Sequence, residues 1–142
     1  MRAERRARAV LEALRWLGTP YCHQASARGK GADCLGLVRG VYRALGGCEP
    51  ARMPPYPRRL LPGHGEPLLL AARAFLEPVD APQSGDVLLF RMRRSHPVSH
   101  CGILVSAGRF IHAFEGREVL TTALSPPWKA KITSAFAFPE PS

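Results

Sequence analysis

Cys34 directly follows Asp33 in the stretch GADCLGLVRG, residues 31–40, where an apolar helix is about to begin. A thiol in the first turn of a helix lies near the positive end of the helix dipole. It also lies beside backbone N–H groups that have no partner within the helix. Both effects favour the thiolate, the nucleophilic form, and can draw a cysteine well below its ordinary pKa of about 8.5. Asp33 suits the N-cap position, so its carboxylate is expected to turn toward the first-turn N–H groups rather than the sulfur. The chemistry this invites is attack by sulfur on a carbonyl carbon. The alternative is a small buried side chain with a packing role.

A nucleophilic thiol needs a base, usually histidine, held in place by a third group. The chain has five histidines. His23 and His64 fall in loops and His96 in the basic stretch RMRRSHPVS; all three read as solvent-exposed. His100 and His112 fall inside two β-rich segments separated by Ser106, Ala107 and Gly108. A three-residue hairpin loop with Gly108 in the left-handed last position pairs Val105 with Arg109 and sets Gly102 opposite His112. His100, Gly102, Leu104 and His112 then share a face. The imidazoles become diagonal neighbours, roughly 7–8 Å apart at Cα, and Gly102 leaves the space between them open. A two-residue loop would send the histidines to opposite faces. No GxSxG turn is present, and the order cysteine, histidine, polar third residue resembles a papain-type arrangement rather than a serine triad.

The elements that must position these groups are legible in outline. MRAERRARAVLEALRWLG reads as an amphipathic helix with Val10, Leu14 and Leu17 on one stripe, Leu11 beside it, and Arg2, Arg5, Arg6 and Arg8 on the outer face; Gly18 ends it. A glycine-punctuated loop covers residues 18–31. CLGLVRGVYRAL then places Leu37, Val41 and Leu45 on one helix face before Gly46-Gly47. Residues 49–67, with Pro50, Pro54, Pro55, Pro57, Pro62 and Pro67, form a long irregular crossing of the kind that makes lids or groove walls. A short helix is expected over 68–76. Strands are expected over 86–92, 100–106, 109–114, 118–124 and 134–138. Helices first and antiparallel strands after give an α+β layout, with helices against one face of the sheet. Trp128 reads as a core residue rather than a groove lining.

With 142 residues, 46% of them apolar, the chain has the size and composition of one globular domain, 1–142. No run approaches the ~18 consecutive apolar residues of a membrane span. The N-terminus lacks the apolar block and cleavage site of a secretory signal, so synthesis without an export address is expected. The formal charge of +9 predicts attraction to anionic surfaces. Neither zinc-finger spacing nor an aromatic single-strand-binding stripe accompanies it, which speaks against a dedicated nucleic-acid binder. Cys22, Cys34, Cys48 and Cys101 contain no CxxC pair, so a structural zinc site is not expected, and without a signal peptide the thiols are expected to be reduced.

GTPY before DCLGLV, then GDVLLF, then HCGILV followed by FIHAF, resembles the NlpC-type cell-wall cysteine peptidases, which are papain-like. The likeness is greatest to the compact versions encoded with phage tails and gene-transfer agents, and it runs from about residue 18 to 138. It implies Cys34 as nucleophile, His100 as general base and His112 as the residue that orients His100. It further implies Tyr21 as a hydroxyl donor to the oxyanion, and Asp33 as a group near the free amine of a stem peptide. Many members have serine after the cysteine where this chain has Leu35, which removes a polar contact at the substrate site.

The implied reaction is hydrolysis of a D-γ-glutamyl-diamino acid amide in a peptidoglycan stem peptide, through a thioester and with no metal or organic cofactor. An amidase or acyltransferase would use the same constellation, and a structural part of a phage-like tail tip would retain the scaffold with little turnover. Phage-like tail proteins are the expected partners beside peptidoglycan. The expected location is a phage-like particle, or the periplasm and cell wall after delivery.

Overall fold

The computed structural model describes residues 1–49 and 54–140. Residues 50–53, including Pro50 of the expected proline-rich crossing, lie outside the described residues.

Helix α1, Arg2–Leu14, packs on α2, Cys34–Ala44, and both lie against a six-stranded antiparallel sheet. Between the two helices run the two-residue strands β1, Ser26–Ala27, and β2, Gly31–Ala32. After α2 come α3, Pro67–Phe75, and β3, Glu77–Val79. Next are β4, Val87–Phe90, β5, His100–Ser106, β6, Arg109–Ala113, and β7, Val119–Ala123. A single helical turn α4, Pro126–Lys129, precedes β8, Ile132–Ala137. The sheet order is β3-β8-β4-β5-β6-β7, so the last strand in sequence inserts between β3 and β4. This is the expected α+β fold, with β1, β2, β3 and α4 as additions that the sequence pattern did not mark.

The sheet has a core on each face. Val87, Leu89, Cys101, Ile103 and Ile111 pack with Leu37, Val41 and Leu45 of the α2 segment and with Ala9, Ala13 and Trp16. Leu88, Phe90, Leu104, Phe110 and Ala135 form a smaller cluster on the other face, roofed by Trp128. Trp128 is half-buried, so the expectation of a core tryptophan holds in part. Burial on both faces explains why β4 reads as an unbroken apolar run, VLLF, rather than an alternating one.

Two expectations about α1 are corrected. Its buried stripe is Ala9, Ala13 and Trp16, while Leu11 and Leu17 are exposed. The small alanines let α1 approach the sheet closely. Trp16 lies flat on α2 at Gly40, where a Cβ would sit 2.0 Å from the indole. Nor do all four arginines face outward. Arg6 makes a two-pronged ion pair with the fully buried Asp86, at 2.9 Å to each carboxylate oxygen, and Arg5 donates to the Leu45 carbonyl at 3.2 Å. The arginine stems cover apolar surface while their heads fill the polar needs of the β4 entry and the α2 exit.

The β5–β6 hairpin corrects the expected turn but keeps its consequence. Ser106 pairs with Arg109, so the loop has two residues, and Gly108 does not adopt a left-handed conformation. A bulge between Leu104 and Ser106 absorbs the extra residue. Beyond it Leu104 pairs with Phe110 and Ile103 with Ile111, the register the longer loop would have produced. The two histidines therefore share a face. Gly102 does not leave open space: a Cβ there would lie 2.8 Å from the Phe110 ring and 3.2 Å from the His112 Cβ. The missing side chain instead lets Phe110 and His112 close over the strand.

Candidate active site

The nucleophile candidate is positioned by a cap. Asp33 Oδ1 accepts the Gly36 N–H at 2.7 Å, starting α2 so that Cys34 is its first residue. Asp33 is buried, and Oδ2 accepts the Gln24 N–H at 2.7 Å and the Tyr56 hydroxyl at 2.5 Å. Both oxygens are thus engaged within the chain, and Asp33 lines neither lobe of the cleft described below. What the structure shows for it is capping and anchoring.

Cys34 is half-buried, and its pKa is held well below the ordinary thiol value. The largest cause is a hydrogen bond from the thiol of Cys101, followed by a hydrogen bond and favourable charge interaction with His100; burial and Asp33 oppose them. Cys101 is buried on β5, and its own pKa is pushed far up by the same contact and by burial. Sequence reasoning treated Cys101 only as one of four reduced cysteines, although its place next to His100 on a strand facing α2 would have pointed to it.

His100 opens β5 and lines the same cleft as Cys34. Its Nε2 lies 2.7 Å from Nδ1 of His112, and the rings meet edge-on with centroids 5.0 Å apart. His112 is 1% exposed, and its Nε2 lies 2.8 Å from the Thr122 hydroxyl. Burial, then the neighbouring His100 charge, lower the His112 pKa to about 3, so this ring is neutral at ordinary pH. A neutral ring that donates from Nε2 to Thr122 must accept at Nδ1. In that tautomer His100 donates from Nε2, and its other nitrogen is the one free to serve the cleft. Phe110, Trp128 and Phe114 surround the pair, with the Trp128 ring 5.4 Å from that of His112. Thr122 is a site residue that sequence reasoning missed. The register Phe110 with Thr122 on β6 and β7 makes it the diagonal neighbour of His112.

Tyr21 lines the cleft beside Cys34. Burial, with the Asp33 and Cys34 charges adding, pushes its pKa up to about 12, so the hydroxyl keeps its proton and can donate. One more residue, Tyr56, escaped the sequence reading, and His23 is placed differently from its reading. The proline-rich segment carries Tyr56, whose hydroxyl donates to Asp33, and His23 donates from Nε2 to the Tyr56 carbonyl at 2.9 Å. His23 is therefore no solvent-exposed loop histidine; it joins the 18–31 loop to the proline segment. Among the histidines read as exposed, His64 is exposed, while His96 is half-buried in the cleft wall.

The cleft has two lobes that meet at Cys34. One, lined by Leu35, Pro54, Pro55, Pro57, Leu68 and Ala71, is mainly apolar. The other contains His100 and is lined by Arg58, Arg59, Arg93 and His96. Among the described residues no group of three His, Cys, Asp or Glu side chains is arranged to hold a metal ion. The arrangement suits thiolate attack on a carbonyl, with an imidazole to carry the proton.

A profile of the NlpC/P60 family matches residues 18–137. Over 133 residues the chain is 35% identical to the gamma-DL-glutamyl hydrolase of Bacillus subtilis; the match covers 91% of this chain and 28% of that protein. The chain thus spans a little over a quarter of that relative's length. Among solved structures, the NlpC/P60 domain of the peptidoglycan hydrolase SagA superposes with a TM-score of 0.63 at 24% identity, covering 94% of this chain and 98% of that one. An NlpC/P60 family protein from Bacillus cereus gives a TM-score of 0.66 at 21% identity, covering 94% and 40%. The peptidoglycan hydrolase RipB from Mycobacterium tuberculosis gives 0.61 at 17% identity, covering 95% and 64%. At these identities the structural matches establish the fold.

Proposed function

The chain belongs to the NlpC/P60 family, a family of cell-wall cysteine peptidases, and from that premise we propose that it hydrolyses a γ-glutamyl amide bond in peptidoglycan stem peptides. The observation that carries the proposal is a cleft lined by both Cys34 and His100, with His100 held from behind by the His100–His112–Thr122 hydrogen-bond chain. The γ-glutamyl preference is supported by the named activity of the Bacillus subtilis relative, and the peptidoglycan substrate by the named activities of SagA and RipB.

In this reading the resting state is a Cys34 thiolate beside an imidazolium on His100. The sulfur attacks the carbonyl carbon. The oxyanion that forms is met by the Cys34 backbone N–H, at the start of α2, and by the Tyr21 hydroxyl. Donors of this kind are each worth about 2.7–4 kcal/mol of transition-state stabilisation. His100 passes its proton to the departing amine and becomes neutral. It then takes a proton from water, which attacks the thioester, releases the carboxylate product and regenerates the thiolate. His112 accepts from His100 throughout and keeps the ring facing the sulfur, because its own low pKa stops it from taking the proton.

Digestion of purified bacterial sacculi, with fragments read by mass spectrometry beside Cys34→Ser, tests the proposal. Release of fragments cut within the stem at the γ-glutamyl bond, absent with the variant, is expected. Release of whole stem peptides points instead to an amidase, and equal release by both proteins removes Cys34 from the chemistry.

A further inference from the structure

We propose that Arg59 and Arg93 form a carboxylate-reading wall on the leaving-group side of the cleft, so that the enzyme favours substrates whose departing amine carries free carboxylates. The inference rests on the hydrolase reading in one respect: the departing amine takes its proton from His100, so the departing fragment occupies the lobe that contains His100.

That lobe is basic, and its charge is only partly compensated. Arg58, Arg59 and Arg93 line it together with His96, while its one acidic lining residue, Glu115, pairs with Arg58 at 3.0 Å. Arg59 and Arg93 are exposed, and neither makes an ion pair with another described residue. They come from different segments, the proline-rich crossing and the loop between β4 and β5, so two forks converge on one groove from chain positions 34 residues apart. Nearby Arg91 is not available in the same way, since it is bound to Glu66 and to the His96 carbonyl, each at 2.7 Å.

The lobe on the other side of Cys34 has a different character. Prolines, Leu35, Leu68 and Ala71 dominate it, and its one arginine is the Arg58 already paired with Glu115. Charge recognition is therefore confined to one side of the scissile bond. Guanidinium groups bind carboxylates through paired N–H donors, and two unpaired forks favour an anionic leaving fragment over its neutral amide. Because both side chains are exposed, the preference is modest and weakens with salt. Arg59 and Arg93 are specificity residues: they touch the departing half of the substrate and take no part in proton or acyl transfer.

The test uses two substrates with the same D-γ-glutamyl half, one joined to diaminopimelic acid with free carboxylates and the other to its primary diamide. Wild-type enzyme at low salt is expected to show a KM about five- to tenfold lower for the free acid, with kcat equal within about twofold. The double variant Arg59→Gln/Arg93→Gln should lose that preference and keep kcat, and 0.5 M salt should shrink the preference in wild type. Equal KM values in wild type, or a preference that survives the double substitution, overturn the proposal. A second arm measures binding of free diaminopimelic acid and of its diamide to Cys34→Ala by calorimetry or NMR titration, with and without the arginine substitutions. Arginine-dependent preference for the acid without turnover of either substrate means that the γ-glutamyl hydrolase reading fails while the carboxylate wall stands. Absence of any binding preference overturns the wall whatever the turnover.

Discussion

The Tyr56 hydroxyl donates to Asp33 Oδ2 at 2.5 Å, joining the proline-rich crossing to the cap of the helix that carries Cys34. Asp33 accepts from Gly36 on one oxygen and from Gln24 and Tyr56 on the other, so one buried carboxylate fixes the helix start, the preceding loop and one cleft wall. The burial that this contact requires, together with the carboxylate charge, raises the Tyr56 pKa far above the usual phenol range. The cleft wall is thereby tied to the start of the Cys34 helix rather than only lying beside it.

Tyr56→Phe removes that tie and leaves the ring in place. A hydrogen bond to a charged group contributes about 1.5–3 kcal/mol, so a loss of stability in that range is expected. Amide exchange across residues 54–61 should accelerate at the same time. Unchanged exchange in that segment would mean that the prolines alone hold the wall.

His112 gives the fold a pH signature. Its folded pKa, about 3, lies below the ordinary histidine value of about 6.5, so the unfolded chain binds the proton first. Its contribution is present above pH ~6.5 and is lost progressively as pH falls toward 3, at up to about 1.4 kcal/mol per pH unit. Thermal or urea unfolding between pH 7.5 and 4.5 should show a steeper decline for wild type than for His112→Gln. Parallel curves would count against a neutral, buried His112.

Arg6→Ala exposes the cost of stranding a buried charge. Asp86 is fully buried and accepts from Arg6 through both oxygens, and from the Gln83 N–H at 2.9 Å. Removing one partner of such a pair costs about 3–5 kcal/mol. A fall in Tm of order 10 °C is expected for a chain of this size. A loss below about 1 kcal/mol would show that water reaches Asp86 readily.

The candidate site residues Cys34, His100 and His112 were legible because each announces itself locally. Cys34 sits behind an N-cap aspartate, and His100 and His112 flank a hairpin whose register brings them together under either turn geometry once the bulge is counted. The partners reached through tertiary structure were not legible. Tyr56 arrives at Asp33 along an irregular, proline-rich path that carries no periodic signal, and Arg6 meets Asp86 across 80 residues of sequence. The α1 stripe misled for a physical reason. Leu11 and Leu17 dominate any hydrophobicity reading, whereas close packing against the sheet selects the small Ala9 and Ala13. Thr122 lay within reach, since aligning the expected strands 109–114 and 118–124 places it diagonally across from His112.

Whether the Cys34 sulfur is ionised where ordinary thiols are not is measured most directly by the pH dependence of alkylation. Wild-type protein is pulsed with iodoacetamide from pH 5 to 9, and the labelled cysteine is identified by peptide mapping. The account predicts that Cys34 labels at a lower pH than an ordinary thiol, ahead of Cys22, Cys48 and Cys101. It also predicts that Cys101→Ala and His100→Ala each move its profile upward, because each removes a contact that holds the pKa down. Onset of Cys34 labelling near pH 8.5, unmoved by either substitution, would contradict it.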